Sequence, residues 1–538
     1  IVSMIECARA IEPADVSPCV LGNASLQADD WHAGAGGLAE ERVEGEDLQY
    51  VGKQASALQV VEPRTERKSS ANRRIFAVCL WTALCSGTAY GFSAYQLVLM
   101  QRYSFTGVDT DLCFTMVFWF TVVEPAGFMF AWRGSRPVVI YAFIFFITGV
   151  SALLVMLHSL TTDRWAGSID VWLTALSLGA LAHGSASMYT VSLMSTVYFF
   201  EGDTRQGTAI GAVSSGFGLS AAVWVCVYRW IFSEEMSSYF IFFSLVYGVT
   251  FFAFSCVVYV PGPDASRKRS KTSVERASFV EVRDFEIEPY VDTGASSSGG
   301  IRSVVLRMLR SPDVLAYFAC FSLLQGVGGG VIIGNVSLYA RAMGASPELS
   351  VALVSLLSIT NCAGRLGSGA AMDLHPRISK PAFTLLAGLL LFAMCALLFL
   401  LGDRTPAGVA CAVILVPGLA YGANWAILPA YMADGFGAHN AGIGFALAAM
   451  MVAPASAVFA LLTGYFYDAA AHGTEGSASE VCSGASCFSS AFLVASLVSA
   501  VAVLIAAVQL RVSMARQSTR GGEEPADIDT EPQVAERS

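Results

Sequence analysis

Charge is what this chain has least of. Of its 538 residues, 14% are Asp, Glu, Lys or Arg, while 55% are hydrophobic and the mean hydropathy is +0.58. A soluble domain carries about 25% charge. A water-soluble globule is therefore excluded, and a multi-pass membrane protein is implied. Histidine is also scarce, at six residues, and no grouping of His, Cys, Asp and Glu has metal-ligand spacing. No metal site is expected. The chain lacks both a Walker-type lysine loop and a dinucleotide fingerprint on a strand. Nucleotide-driven work and nicotinamide chemistry are excluded, and no cofactor is expected. No catalytic triad stands out, so an enzyme is not expected, and neither is a nucleic-acid partner. Residues 1–70 carry no charged-then-apolar signal-peptide pattern. The chain opens on Ile1 rather than Met, so its true start is expected upstream.

What the chain has is long apolar runs. Twelve candidate spans lie at about 75–97, 112–131, 137–157, 170–198, 207–231, 239–260, 313–340, 348–371, 381–401, 408–431, 441–467 and 488–510, each near the ~20 residues that cross a bilayer. Lys and Arg set the orientation. Basic residues precede the first span (Arg64, Arg67, Lys68, Arg73, Arg74) and follow the second (Arg133, Arg136), the sixth (Arg267–Lys271 and five further arginines), the eighth (Arg377, Lys380) and the twelfth (Arg511, Arg516, Arg520). Asp109, Asp111, Glu234 and Glu235 fall in the intervening loops. Both termini are therefore expected in the cytosol. The organisation expected is a disordered tail over 1–70, a six-helix half over 71–260, a cytosolic loop over 261–312, a second six-helix half over 313–512 and a disordered tail over 513–538.

Arg365 stands inside the eighth span, in Ile359-Thr-Asn-Cys-Ala-Gly-Arg-Leu-Gly-Ser-Gly-Ala-Ala-Met-Asp373. A guanidinium at the bilayer centre costs on the order of 3 kcal/mol or more. It must face a protein partner, a water-filled cavity or an anionic ligand. Asn361 lies one turn away on the same face. Gly364, Gly367 and Gly369 thin the helix for close packing.

Several local patterns carry a family resemblance. They are Gly87-Thr-Ala-Tyr-Gly-Phe-Ser-Ala-Tyr95, Phe200-Glu-Gly-Asp-Thr-Arg-Gln-Gly207, Gly211-Ala-Val-Ser-Ser-Gly-Phe-Gly-Leu-Ser220, Asn361-Cys-Ala-Gly-Arg365, Tyr421-Gly-Ala-Asn-Trp425 and Gly464-Tyr-Phe-Tyr-Asp468. With the six-plus-six layout, residues 75–512 resemble the nodulin-like branch of the major facilitator superfamily. More loosely, they resemble the monocarboxylate and oxalate–formate transporters. The resemblance implies an all-α membrane fold of twelve helices in two halves that rock around a midplane site. It also implies that Arg365, matching the eighth-span arginine of those carriers, holds a substrate carboxylate. Their partner aspartate one turn earlier is the neutral Asn361 here. The superfamily's Asp after the second span is missing from Gly127-Phe-Met-Phe-Ala-Trp-Arg133-Gly-Ser-Arg136, while Asp373 and Arg377 are kept in the second half. Asp373, Arg377, Arg133, Arg136 and Arg205 are expected gate residues.

Further candidates follow from residue type. Glu124, before Pro125, is a carboxyl well inside the N-terminal half. It suits either proton carriage or a gate pairing with Arg133, Arg136 or Arg205. His183 suits a proton relay or a satisfied core position. Gln325-Gly-Val-Gly-Gly-Gly330, with Gly334 and Asn335, marks an irregular seventh span. Gln325, Asn335, Asn424, Tyr90 and Tyr95 are polar candidates for lining a site. Cys482 and Cys487 suit a disulfide on the outward side. The reading is a secondary transporter moving a small organic anion, such as pyruvate or lactate, with protons. It is expected to work as a monomer among membrane lipids, in the plasma membrane or an organelle. A carrier of neutral or cationic solutes, or a transport-dead sensor, remains open.

Overall fold

The computed structural model describes residues 72–87, Phe92, Tyr95, Val98, Leu99, Tyr103, Phe105 and residues 107–162, 168–263, 300–401, 405–472 and 482–521. The chain divides into two units, 1–77 and 78–538. In the first, residues 72–77 are helical. Residues 1–70, Tyr90 and the cluster Arg267–Lys271 lie outside the described residues.

The second unit is helical throughout its ordered elements. After α1 (residues 78–86) come α2 (Gly107–Val122), α3 (Ala126–Arg133), α4 (Ser135–Thr162), α5 (Ser168–Phe199), α6 (Gln206–Trp230) and α7 (Met236–Val257). The second half holds α8 (Ile301–Arg310), α9 (Pro312–Val327), a π-helical stretch Gly328–Ile333, α10 (Val336–Ala342), α11 (Pro347–Leu374), α12 (Lys380–Leu400), α13 (Ala407–Leu415), α14 (Pro417–Phe436), α15 (Ala438–His472) and α16 (Ser486–Gly521).

The helix starts are written in the sequence. Ser311 and Ser346 accept from Val314 N and Leu349 N, with Pro312 and Pro347 in the first turn, where a missing N–H does no harm. Gly134 and Gly437 end α3 and α14 at φ +79° and +78°, a backbone region that disfavours any side chain. Each lets the chain turn at once into the next helix.

Nine helical stretches of the described residues are long and apolar enough to cross a membrane. Two more helices, α5 and α11, have 32 and 28 residues, enough to span roughly 40 Å or more at ~1.5 Å per residue. Helix α5 is largely buried, and α11 carries the buried Arg365. On α7, Leu245, Val249 and Phe252 are 67%, 68% and 70% exposed, and Leu504 and Val508 repeat this on α16. Water would penalise such a belt, whereas hydrocarbon accepts it.

Two helix breaks that the sequence marks, and two departures from its reading, have local causes. The second span is two helices, because Pro125 cannot donate to the helical ladder. The seventh is interrupted by the π turn at its three consecutive glycines, where backbone freedom permits a wider turn. Part of the expected 261–312 loop is a helix, α8, which buries Val304 and Met308 one turn apart. The last helix also runs on to Gly521, into the stretch expected as a tail.

The halves meet along two seams, α6 against α11 and α3 against α15. Small residues bring the backbones together. A Cβ on Gly211 would stand 2.6 Å from the Arg365 carbonyl oxygen, and one on Gly369 would stand 2.9 Å from Gly211 Cα. Gly127 and Gly442 meet in the same way. Gly367 does not take part in this thinning, since nothing lies within 4 Å of its added Cβ.

Candidate functional site

Arg365 is 2% exposed. Helix α11 points it across the seam. Its Nε donates to Asn361 Oδ1 at 3.0 Å, so the i, i+4 pair read from the sequence is formed. Its Nη1 donates to the first half: to Ser214 Oγ at 2.8 Å, Ser214 O at 3.2 Å and Tyr189 Oη at 3.3 Å. Tyr189, on α5, and Ser214, on α6, are themselves 3.0 Å apart. The Tyr189 ring stacks on Phe217 at 4.1 Å. None of these oxygens is a carboxylate. Nη2 has no hydrogen-bond partner among the described residues. The charge is thus solvated by dipoles and not neutralised, the arrangement suited to an anionic ligand.

Glu124 sits in the break between α2 and α3 and is 5% exposed. Its Oε1 accepts from Thr190 Oγ1 at 2.6 Å and its Oε2 from Ser187 Oγ at 2.9 Å. Both hydroxyls come from α5. The alternative pairing with Arg133, Arg136 or Arg205 is not what the structure shows. The guanidinium of Arg133 lies 4.4 Å over the Trp132 ring and that of Arg136 4.5 Å over the Tyr259 ring, while the Arg205 backbone N–H donates to Asp203.

Glu124 and Arg365 line one cavity of about 30 Å³ between the halves, walled by Tyr189, Phe217, Trp425 and Phe445. No ion pair joins them; the ion pairs of the described residues are Arg229–Glu234 and Lys380–Asp434. Trp425 is 5% exposed, and its indole Nε1–H has no partner among the described residues. Like Tyr189 and Ser214, it is a site residue that sequence reasoning passed over. It stood inside the quoted Tyr421–Trp425 motif, but an apolar-looking tryptophan gives no sign of an unspent donor.

The other candidates stand elsewhere. Gln325 donates to Tyr421 O at 3.1 Å, and Asn335 closes the π stretch by donating to Gly330 O at 2.9 Å. Gln325, Asn335 and Asn424 are absent from the cavity wall. The glycines beside Gln325 are packing seats: Cβ atoms on Gly328 and Gly329 would meet Tyr421 Cδ2 and Ser456 Oγ at 2.6 Å. Tyr95 belongs to an aromatic cluster with Tyr228, Tyr239 and Phe240. His183 has both ring nitrogens engaged, with Tyr141 Oη at 2.6 Å and Phe120 O at 2.8 Å, and it too lies outside the cavity wall.

Asp373 does reach across the seam. Its Oδ1 and Oδ2 accept from Gly207 N and Thr208 N at 2.7 and 2.6 Å, so it caps the start of α6 and pairs with neither Arg365 nor Arg377. A carboxylate suits a helix N-terminus electrostatically. Glu201 makes the matching contact on the other seam, accepting from Ala438 N at the start of α15 at 3.0 Å. Sequence reading, which noted the missing aspartate in the first half, did not identify Glu201 as its counterpart. Cys482 and Cys487 are joined by a disulfide, and the Gly484 N–H ties that loop to Ala342 O at 2.8 Å. Among the described residues no group of three or more His, Cys, Asp or Glu could hold a metal ion.

Comparison with known proteins agrees with this architecture. The family model of the Major Facilitator Superfamily matches residues 76–460. A curated relative from Yarrowia lipolytica, described as a probable transporter MCH1, is 24% identical over 469 residues, covering 80% of this chain and 90% of its own. Two crystal structures of the fucose transporter FucP share the fold at 12% identity. One, described as an E. coli fucose:proton symporter, has a TM-score of 0.51, and the other, in an outward conformation, has 0.52. Each covers 81% of this chain and is itself covered over 98%.

Proposed function

This chain belongs to the major facilitator superfamily of membrane transporters, and on that premise we propose that it carries a short organic anion, a monocarboxylate such as pyruvate or lactate, together with a proton. The observation that carries the reading is the shared cavity. It holds a dipole-solvated guanidinium with an unspent Nη2 from one half and a carboxyl from the other. Arg365 takes the substrate carboxylate. Glu124 carries the proton, its two hydroxyl partners keeping it buried without a fixed counter-charge. The Trp425 N–H supplies a further donor to a keto or hydroxyl oxygen. Within the superfamily, the proposal extends to the nodulin-like branch, on the motifs quoted above. Twelve spans with both termini cytosolic complete the proposal.

The cavity has room for a water or two at about 10–15 Å³ each. A three-carbon acid needs the halves to part. Asp373 and Glu201 hold the seams together on the side that the basic loops assign to the cytosol. Alternating access then means breaking and remaking these contacts.

The acid and the base on one wall also favour a second reading, a zwitterionic solute whose amino group would face Glu124. Proteoliposome uptake separates the two. Labelled pyruvate, lactate and an amino acid are offered with and without an inward proton gradient. Gradient-stimulated uptake of the acids supports the first reading; uptake of the amino acid alone replaces it with the second.

A further inference from the structure

Helix α8 is a short element that the transport cycle described above does not use. It buries Val304 and Met308 against the protein. It leaves Leu306 and Leu309 exposed at 39% and 43%, flanked by the exposed Arg302, Arg307 and Arg310. None of the three arginines has an ion-pair partner among the described residues. Ser303, Leu306, Arg307, Arg310 and Ser311 line an open recess of about 480 Å³. Ser311 caps α9, the start of a membrane-crossing stretch, so α8 stands at the boundary between water and lipid. Leucines that would be wasted in water fit the headgroup region, and unpaired arginines fit an anion.

We propose that α8 is a headgroup site for an anionic phospholipid of the leaflet it adjoins. Arg307 and Arg310, with the Ser311 hydroxyl, take the phosphate in charge-assisted hydrogen bonds. Leu306 and Leu309 enter the upper acyl region. Because α8 packs on both α3 and α15, a lipid held there sits beside the Gly127–Gly442 seam.

The test is native mass spectrometry of the purified full-length protein, titrated with phosphatidylserine and phosphatidylcholine of matched chains. Phosphatidylserine is expected to remain bound at activation energies that strip phosphatidylcholine. R307Q/R310Q is expected to cut phosphatidylserine retention at least about fivefold, as for losing two charged contacts, and to leave phosphatidylcholine unchanged. R307K/R310K, which keeps the charge, is expected to restore most of it and serves as the folding control. Equal retention of both lipids by the native protein would overturn the proposal, as would full retention by R307Q/R310Q. Displacement by equimolar inorganic phosphate would assign a free-anion site instead.

Discussion

Arg365 is buried by design of its neighbours: Asn361, Ser214 and Tyr189 each give an oxygen, and none gives a charge. Lysine cannot reproduce the planar fork. In proteoliposomes, Arg365→Lys should therefore raise the KM for pyruvate on the order of tenfold to a hundredfold, since a charged hydrogen bond is worth about 1.5–3 kcal/mol. A KM within twofold of the native value would return Arg365 to a purely structural role. Glu124→Gln keeps the shape, its amide oxygen accepting from one of Thr190 and Ser187 and its NH2 donating to the other hydroxyl oxygen, but it carries no proton. It should abolish stimulation of uptake by a proton gradient while sparing substrate exchange at equal pH; persisting stimulation rules Glu124 out as the carrier. Trp425→Phe removes a donor that the protein does not use. Thermal stability should hold, and KM should rise by a factor of about two to ten, the worth of one neutral hydrogen bond. At this scale the arginine was legible because a fixed charge inside an apolar run demands an explanation. Its cross-half partners were not, being 151 and 176 residues away in sequence.

Among the elements, the seams decide what can move. Helices α6 and α11 approach through Gly207, Gly211 and Gly369, and Asp373 seals the end of that approach. Gly369→Val forces the backbones apart at a cost of about 1–3 kcal/mol, enough to shift a two-state population by roughly 5- to 150-fold. A cysteine at Thr208 should then react faster with a thiol reagent applied from the cytosolic side of inside-out vesicles. An unchanged rate would mean that this seam does not open in the cycle. The breaks at Pro125 and in the glycine run of the seventh span were readable, because both residue types disturb the helical ladder. Helix α8 was not. Ile301, Val304, Val305 and Met308 recur at helical spacing in those ten residues, but the long hydrophilic stretch around them hid the pattern, and α3, α9 and α15 decide that Val304 and Met308 are the buried pair.

For the whole molecule, the basic loops and the disulfide make one joint claim about sidedness. Cys482 and Cys487 should take an impermeant maleimide only after reduction, and only from the outer face of right-side-out vesicles. A tag after Ser538 should resist protease from that face. Labelling of the pair from the cytosolic face would invert the topology.

The sequence by itself determined the solvent, where the long apolar runs lie and the one arginine that had to be answered for, because hydrophobic runs and buried charge carry large local energies. It also marked the disulfide pair and most helix starts, which depend on neighbours a few residues apart. Only the tertiary structure decided which polar residues share a cavity. It kept Glu124 and Arg365, added Tyr189 and Trp425, and set Gln325, Asn335, Asn424, Tyr95 and His183 elsewhere. On a transmembrane helix a polar side chain may face a neighbour or the central space with much the same local energy. The rotation and packing of distant helices make the choice.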